Sequence, residues 1–517
     1  MSSNSETAGI AQDDAADRAR EGAAENAPEA AAERTRDSAP ESTPGDAEAN
    51  NPSCSRASQP AAPPPRGWPA LRPLLLRLHF YAGVLIAPFL LLAAVTGLLY
   101  AGSFQAEKIV YAHELRVPVG DHRLPLTEQV AAARSAHPEG TVNAVRPGAE
   151  PDATTRVLLD VPGLEESHRL AVFVDPYTGT VRGALDSYGS SGALPLRTWI
   201  DQLHGSLLLG DAGRIYSELA ASWLWVVAAG GVALWIGRRR KADRLRRTLL
   251  PEKAATGRRR TRSWHGAVGI WAALGFFFLS ATGLTWSQYA GQNVTDLRAA
   301  LSWETPAVSG EASAHHQGAM DHGSHSMPRA DVGVDRVLKA ARGEGLSDPV
   351  EITYPANPGA AYTVKQIRTT WPEKQDAAAV DATTGSVTDV VRFQDWPLAA
   401  KLSRWGIDAH MGLLFGLANQ IALAALMVAL ICMIFWGYRM WWLRRPTRAD
   451  RRGVGRPPAR GAWRRIPLRV LAPSLALAAA TCYFLPLLGI PLLAFLAGDL
   501  AIGTRDRRRA RRATTAT

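Results

Sequence analysis

Two apolar stretches decide the fold of this chain: residues 78–98 read LHFYAGVLIAPFLLLAAVTGL, and residues 264–284 read WHGAVGIWAALGFFFLSATGL. Each stretch has a histidine at its second position and ends in Thr-Gly-Leu. A helix of this length, rising about 1.5 Å per residue, crosses the roughly 30 Å hydrocarbon core of a bilayer. The sequence therefore predicts two equivalent membrane-spanning helices in a duplicated chain. The matched positions all lie 186 residues apart: His79 and His265, Gly83 and Gly269, Thr96 and Thr282, and Gly97 and Gly283.

A second match extends the duplication. Residues 174–181 (VDPYTGTV) match residues 380–387 (VDATTGSV) at an offset of 206, and His204 matches His410 at the same offset. Each half therefore consists of a span, an outer domain, a histidine and a second span. The larger offset predicts an insertion of about 20 residues in the second half, and the His-rich stretch 311–328 is the obvious candidate.

Five apolar runs are long enough to enter a membrane, and they lie at residues 74–100, 219–236, 264–286, 413–436 and 470–502. The last run has Pro486 near its middle, which predicts a two-pass hairpin, with a re-entrant segment as the alternative. The predicted fold class is an α-helical multi-pass membrane protein with four core spans in two repeats, a C-terminal hairpin and two extracytoplasmic α+β domains.

The charges predict the orientation. The chain carries 58 basic and 47 acidic residues, and the basic ones cluster in short blocks beside the apolar runs. Residues 237–263 hold 12 basic and 2 acidic side chains, and residues 437–469 hold 11 and 1. Such blocks mark the cytoplasmic side of multi-pass proteins, so both termini are expected there. This distribution disfavours a nucleic-acid binder, and three scattered cysteines exclude a disulfide scaffold.

The layout follows from these runs and charges. Residues 1–66, rich in Ala, Glu, Asp and Pro, are expected to form a disordered cytoplasmic tail. The predicted transmembrane segments are 71–104, 204–236, 264–287 and 410–438, with a hairpin at 470–503; the outer domains are 105–203 and 288–409; the basic cytoplasmic segments are 237–263, 439–469 and 504–517.

Each outer domain is expected to be a small α+β unit. In the first domain, Thr127 is the predicted cap of a helix that runs to about residue 136. In the second, Asp331 is the predicted cap of a helix that runs to about residue 342. Each Asp-x-x-Thr-Gly element predicts a tight turn with glycine at positive φ. The predicted strands are 141–146, 156–161, 169–174 and 180–182 in the first unit, and 349–354, 361–366, 376–380 and 386–390 in the second.

Four histidines repeat in pairs at the two membrane faces. A histidine at membrane depth is costly and is a functional candidate, and neutral imidazole is a natural axial ligand of haem iron between facing helices. His79 with His265, and His204 with His410, therefore predict two haem b sites, one near each face. The alternative is interfacial histidines bonded to headgroups or carbonyls. Because 34 residues separate His204 from Arg238, either His204 lies above the membrane or the helix breaks near residues 210–213.

The inserted stretch combines imidazole with thioether side chains. This donor set suits copper, and the alternative is a disordered polar insert with incidental histidines. The candidate metal ligands are His315, His316, Met320, His322, His325 and Met327.

These features resemble the PepSY-associated transmembrane family, the iron-regulated membrane proteins that include ferric-siderophore reductases. The resemblance rests on LHFYAG at 78–83, AVTGLLY at 94–100, WHG at 264–266, the two Asp-x-x-Thr-Gly elements and Asp408-Ala409-His410, and it covers residues 71–446. It implies a multi-pass protein of the bacterial plasma (inner) membrane with two PepSY-like outer domains. It also implies haem bound by His79, His204, His265 and His410, and reduction of siderophore-held iron.

The resulting functional hypothesis is a haem-b electron-transfer protein that reduces a ferric-siderophore or related metal complex on the outer face during iron acquisition. Its partners are the lipid bilayer, an external electron donor (quinol or a cytoplasmic reductase) and the ferric complex. The chain has no Gly-x-Gly-x-x-Gly after a strand, so the donor is not encoded in it. The alternatives are a non-enzymatic sensor or regulator, a copper-handling protein that uses the insert, and a transporter.

Overall fold

The computed structural model describes residues 68–238, 249–309, 331–357, 360–444 and 467–514. Within these ranges, five helices (α2, α6, α7, α11 and α13) are long and apolar enough to span a membrane. The helices are α1 Trp68–Leu85, α2 Ala87–Val110, α3 Ala112–Leu115, α4 Leu126–Ala136, α5 Pro195–Ser206, α6 Gly210–Arg238, α7 Gly257–Leu284, α8 Tyr289–Ala300, α9 Val334–Gly343, α10 Leu398–His410, α11 Leu417–Trp442, α12 Leu468–Phe484 and α13 Pro486–Thr514.

The first predicted span is two helices joined at a kink. Helix α1 ends at Leu85 and α2 begins at Ala87, with Pro88 in its first turn. Proline has no N–H to donate to the preceding turn, which is a common cause of a kink. The hydrogen bonds from Ile86 N to Ala82 O and from Leu90 N to Ile86 O carry the chain across the joint.

The histidine segments that precede the second and fourth spans are separate short helices. Helix α5 ends at Ser206, Leu207 and Leu208 adopt left-handed conformations with φ of 50° and 58°, and α6 begins at Gly210. Helix α10 likewise ends at His410, and α11 begins at Leu417. The predicted segments 204–236 and 410–438 therefore start several residues too early. The break predicted near residues 210–213 lies slightly earlier, at 207–209.

The helices pack into one apolar bundle. Helix α6 packs along α7, α11 packs against both α2 and α7, and α1 packs against α6. Three hydroxyls donate to backbone carbonyls of neighbouring helices: Tyr438 to Val84, Tyr216 to Phe89 and Ser280 to Ala221. These bonds satisfy polar groups that would otherwise be costly inside a membrane.

The C-terminal apolar run is a helical hairpin that turns at Leu485, next to the predicted Pro486. Helix α13 is long enough to span a membrane, whereas α12 has 17 residues. The hairpin is tied to the bundle by Trp223 Nε1, which donates to Leu487 O, and by an ion pair between Arg77 and Asp499. These contacts attach the hairpin to α6 and α1.

The two outer units, predicted as separate domains, form one eight-stranded antiparallel sheet in the order β4-β3-β2-β1-β5-β6-β7-β8. Strands β1 and β5 join the halves, with Ala144 opposite Thr353 and Val145 opposite Ile352. Pairing β1 with β5 removes two edges that separate four-stranded sheets would expose. The strands are β1 Thr141–Arg146, β2 Thr155–Asp160, β3 His168–Val174, β4 Val181–Tyr188, β5 Val350–Thr353, β6 Ala361–Gln366, β7 Ala377–Asp381 and β8 Val387–Val391.

Helices α4 and α9 cover one face of this sheet, and residues from both halves share its core. The predicted helix caps are wrong. Asp335 of α9 accepts hydrogen bonds from the backbone N–H groups of Leu126 and Thr127 at the start of α4, and Gly333 precedes α9. The predicted Asp-x-x-Thr-Gly turns are confirmed, because Gly179 and Gly385 both have φ of 72°.

Candidate functional site

The first histidine pair lies on the side of the bundle away from the sheet, and we call it the distal pair. It consists of His79 of α1 and His265 of α7, whose ring centroids are 6.2 Å apart with an interplanar angle of 77°. Nδ1 of His79 lies 3.0 Å from Val227 O, and Nδ1 of His265 lies 3.1 Å from Met433 O. A carbonyl only accepts hydrogen bonds, so each Nδ1 carries the proton and each Nε2 carries the lone pair.

Glycines bring α6 close to the distal pair. A Cβ atom added to Gly231 would lie 3.2 Å from Cε1 of His79, and one added to Gly230 would lie 3.5 Å from its Nδ1. The absence of side chains at these two positions therefore lets the imidazole lie directly against the helix backbone. Neither glycine is apparent from the sequence, because the contact with His79 depends on how α6 packs against α1.

The second pair lies nearer the sheet, and we call it the sheet-side pair. Nδ1 of His204 lies 2.9 Å from Thr96 Oγ1, and Nδ1 of His410 lies 2.6 Å from Thr282 Oγ1. The helices that carry the two threonines, α2 and α7, both pack against α11. Aromatic rings flank them, Tyr100 at 6.4 Å from His204 and Trp286 at 5.3 Å from His410.

The threonines support the imidazoles of the sheet-side pair. The hydroxyl of Thr96 lies 2.9 Å from Leu92 O, and that of Thr282 lies 2.7 Å from Phe278 O. A hydroxyl that donates to its carbonyl can accept Nδ1–H of its histidine. This is the arrangement of histidines that bind metals through Nε2 and donate Nδ1–H to a supporting group.

The contacts of the two halves recur at the offsets read from the sequence. Thr96 and Thr282, and Tyr100 and Trp286, are 186 residues apart, and Val227 and Met433, whose carbonyls accept from the distal pair, are 206 apart. The distal histidine and the threonine of the same half are separated by 17 residues in each half, along α1 and α2 in the first and along α7 in the second. At about 1.5 Å per residue, the two histidine pairs lie roughly 25 Å apart along the bundle.

Three of the four glycines singled out by the repeat make close approaches. A Cβ atom added to Gly97 would lie 3.2 Å from both His204 Cε1 and Met427 Sδ. One added to Gly269 would lie 2.9 Å from Met433 Cε, and one added to Gly283 would lie 3.7 Å from His410 Cε1. Gly83 has no neighbour within 4 Å of that position. Gly97 and Gly283 therefore lie against the sheet-side histidines, whereas Gly269 lies against Met433.

The donor geometry fits a cofactor that takes two axial imidazoles. With about 2 Å per nitrogen–metal bond and about 1 Å from each nitrogen to its ring centre, two imidazoles on one metal have centroids about 6 Å apart. The 6.2 Å separation of the distal pair matches this value. No group of three or more His, Cys, Asp or Glu side chains in the described ranges is placed to hold a bare metal ion.

A carboxyl pair that spacing along the chain does not indicate meets at α10, where Asp408 precedes His410 by two residues. Nε of Arg404 donates to Asp408 Oδ2 at 2.9 Å and to Glu373 Oε1 at 3.3 Å, and the Glu373 side chain is fully buried. Burial raises the pKa of Glu373 to about 7; the negative charge of Asp408 adds to this rise and the guanidinium of Arg404 opposes it. Glu373 lies in the loop between β6 and β7, so only the fold brings it to α10.

This raised pKa predicts that the sheet domain loses stability as pH rises. Native Glu373 holds its proton between its ordinary pKa of 4.5 and about 7, whereas the unfolded carboxyl does not. Stability therefore falls as pH increases through that window. Thermal unfolding followed by circular dichroism should show a lower midpoint at about pH 8 than at about pH 5.5, and Glu373→Gln should flatten that difference. The exposed Glu344→Gln is the control; an unchanged slope in Glu373→Gln would contradict the assignment.

The candidate copper ligands His315, His316, Met320, His322, His325 and Met327 lie outside the described residues. The copper site therefore stays a prediction.

A protein-family match covers most of the helical bundle and the sheet. The family model described as the PepSY-associated TM region matches residues 76–444, which include both histidine pairs and the whole sheet. No curated protein matches the chain.

Proposed function

Because the chain belongs to the family of the PepSY-associated TM region, it is a membrane protein, and we propose that it carries electrons across the bilayer between two haem b groups held by its two histidine pairs. The electrons come from a quinol or a cytoplasmic reductase and reduce a ferric complex on the side of the sheet. When bound, haem b supplies a one-electron Fe(III)/Fe(II) couple. The observation that carries the proposal is that Nδ1 of each of the four paired imidazoles lies within 3.1 Å of a carbonyl or hydroxyl oxygen, an arrangement typical of histidines that bind a metal through Nε2.

The chain's own residues have separate tasks in this proposal. Nε2 of His79 and His265 would ligate the distal haem, and Nε2 of His204 and His410 the sheet-side haem. The carbonyls of Val227 and Met433 and the hydroxyls of Thr96 and Thr282 orient the rings. Such supporting hydrogen bonds fix the tautomer and raise ligand basicity.

The proposed direction of electron transfer follows from the positions of the arginines. Arg238, Arg258, Arg259, Arg439 and Arg444 lie at the ends of the spanning helices away from the sheet. Clustered arginines favour the cytoplasmic side, which would put the sheet in the extracytoplasmic space of a bacterial inner membrane. Reduction to Fe(II) weakens binding by hard oxygen ligands, so it would release iron there during iron acquisition.

Purified protein in sealed liposomes tests this function. Dithionite is trapped inside, ferric citrate is added outside, and Fe(II) is followed with an Fe(II)-specific chelating dye. We expect Fe(II) to form only in liposomes that contain the protein. Equal rates in protein-free liposomes would contradict electron transfer and would favour the non-enzymatic sensor. Removal of the insert 311–328 should leave the rate of Fe(II) formation largely unchanged. If removal of the insert abolishes Fe(II) formation, the copper-handling alternative is favoured.

The threonine that orients His410 gives a prediction about haem affinity. Thr282→Val keeps the side-chain shape but removes the acceptor for Nδ1 of His410. Because outer-shell partners of ligating histidines are worth about 10–100-fold in affinity, haem titration of the apoprotein should show one site weakened by about that factor. Thr295→Val is the matched control, because the hydroxyl of Thr295 donates only to Gly291 O within α8. Equal titrations for both variants would refute the role of Thr282.

A further inference from the structure

An arginine at the end of α11 lies next to the helix that carries one distal histidine. Nη1 of Arg439 donates to Thr261 Oγ1 at 2.9 Å, and Thr261 precedes His265 by four residues on α7. Side chains four residues apart share one face of a helix, and Thr261 is buried in the bundle. The contact of Arg439 is therefore one turn, roughly 6 Å, from the level of His265, on the side away from the sheet.

A second arginine lies beside the other distal histidine. The guanidinium carbon of Arg444 lies 5.8 Å from the ring centre of Phe80, the residue that follows His79 on α1. The hydroxyl of Tyr438 donates to Val84 O of α1, so the last turns of α11 are held against α1. Each distal histidine therefore has an arginine close to its own helix, at the end of the bundle away from the sheet.

The two arginines are not neutralised by acidic side chains. Within the part of the chain that the structure describes, neither Arg439 nor Arg444 forms an ion pair, whereas Arg259 at the start of α7 pairs with Glu252 at 2.8 Å. Burial and the positive charge of Arg258 both lower the pKa of Arg444. Positive charges that lie this close together without a counter-charge favour a bound anion.

We propose that Arg439 and Arg444 bind the two propionate groups of the distal haem. The inference rests on the proposed function, which supplies the haem, and it assigns the residues that hold the charged edge of the porphyrin. Haem b is an apolar macrocycle with two carboxylates, and a carboxylate within a membrane is costly unless it is paired. A guanidinium stays charged and matches a carboxylate with two parallel N–H donors. The preference of arginine for the cytoplasmic side does not account for the contacts of these two beside both distal histidines.

The same arginines influence the redox couple. Reduction of Fe(III) haem adds one negative charge, which a nearby positive charge stabilises. Removal of either guanidinium leaves a propionate without its counter-charge and favours the ferric state. The midpoint potential of the distal haem should therefore fall in both arginine variants.

Titration of the full-length apoprotein with haem b and with haem dimethyl ester tests this inference. Both propionates are methylated in the ester, so it presents no carboxylate. The background variant His410→Ala confines binding to the distal pair. We expect Arg439→Met and Arg444→Met each to weaken the binding of haem b by about 10–100-fold, the range for loss of a hydrogen bond to a charged group. Neither substitution should change the affinity for the ester.

The matched control is Arg259→Met, because Arg259 lies on the same side of the bundle and its charge is paired with Glu252; it should leave both titrations unchanged. An α-band at the same wavelength in every variant shows that the distal imidazoles still ligate the iron in a folded protein. Equal losses for haem b and for the ester would show that the arginines act on the fold or bind lipid phosphate, and would overturn the inference.

The inference is also overturned if neither arginine substitution changes the affinity for haem b. Both of these outcomes leave the proposed function standing, because the background protein still binds haem. A background protein that binds neither porphyrin would refute the distal haem itself, and the inference with it.

Discussion

Replacement of His265 by alanine is expected to remove one of the two haems and to halve the α-band absorbance of the reduced protein. The distal pair then has only His79, because the imidazole 6.2 Å away is gone, and a haem that has lost an axial ligand binds weakly or shows a changed spectrum. The sheet-side pair, roughly 25 Å away along the bundle, should keep its haem. Pyridine haemochrome assays normalised to protein measure the content.

His79→Ala should give the same result as His265→Ala, because the two rings belong to one site. His137→Ala serves as the control, since His137 is a surface histidine at the end of α4. Full haem content in both distal variants would contradict the pairing. Complete loss in either one would show that the two sites do not assemble independently.

Replacement of His410 by alanine is expected to stop electron transfer to the outer acceptor while the distal site remains reducible. The imidazole is held by Thr282 at 2.6 Å and lies on α10, close to the sheet. In the liposome assay with trapped dithionite, Fe(II) formation should fall by at least about 100-fold, since loss of a ligand exceeds the effect of losing its supporting hydrogen bond. The absorbance of the distal site should still change on reduction.

His204→Ala should match His410→Ala. Leu402→Met, a change at an exposed side chain of α10, is the control. Fe(II) formation at the original rate in His410→Ala would contradict a route through the sheet-side pair. A rate that falls because the distal site is no longer reduced would instead indicate a global defect.

The features that the sequence predicts well are local. Strands β1 and β6 have the predicted bounds, 141–146 and 361–366, because side-chain alternation and turn residues mark them. The histidines were found because both halves repeat them, and the structure brings His79 to His265. The repeat contains Thr96 and Thr282 but does not indicate their role. Their hydroxyls meet His204 and His410 only because α5 and α10 fold back against the helices that carry the threonines.

The features that the sequence misses depend on tertiary contacts. The single sheet requires β1 to meet β5, and these strands are more than 200 residues apart. The carbonyls of Val227 and Met433 leave no sequence signal, because every residue has a carbonyl. Glu373 reaches Arg404 and Asp408 only through the β6–β7 loop, so the pair could not be read from spacing.

The most direct test of the central claim is the haem content and the reduced-minus-oxidised spectrum of the protein purified from haem-replete cells. We predict about two haem b per chain with spectra typical of two-imidazole ligation, and a loss of part of that spectrum in each alanine variant of His79, His204, His265 and His410. A colourless preparation, or a spectrum that all four substitutions leave unchanged, would contradict it.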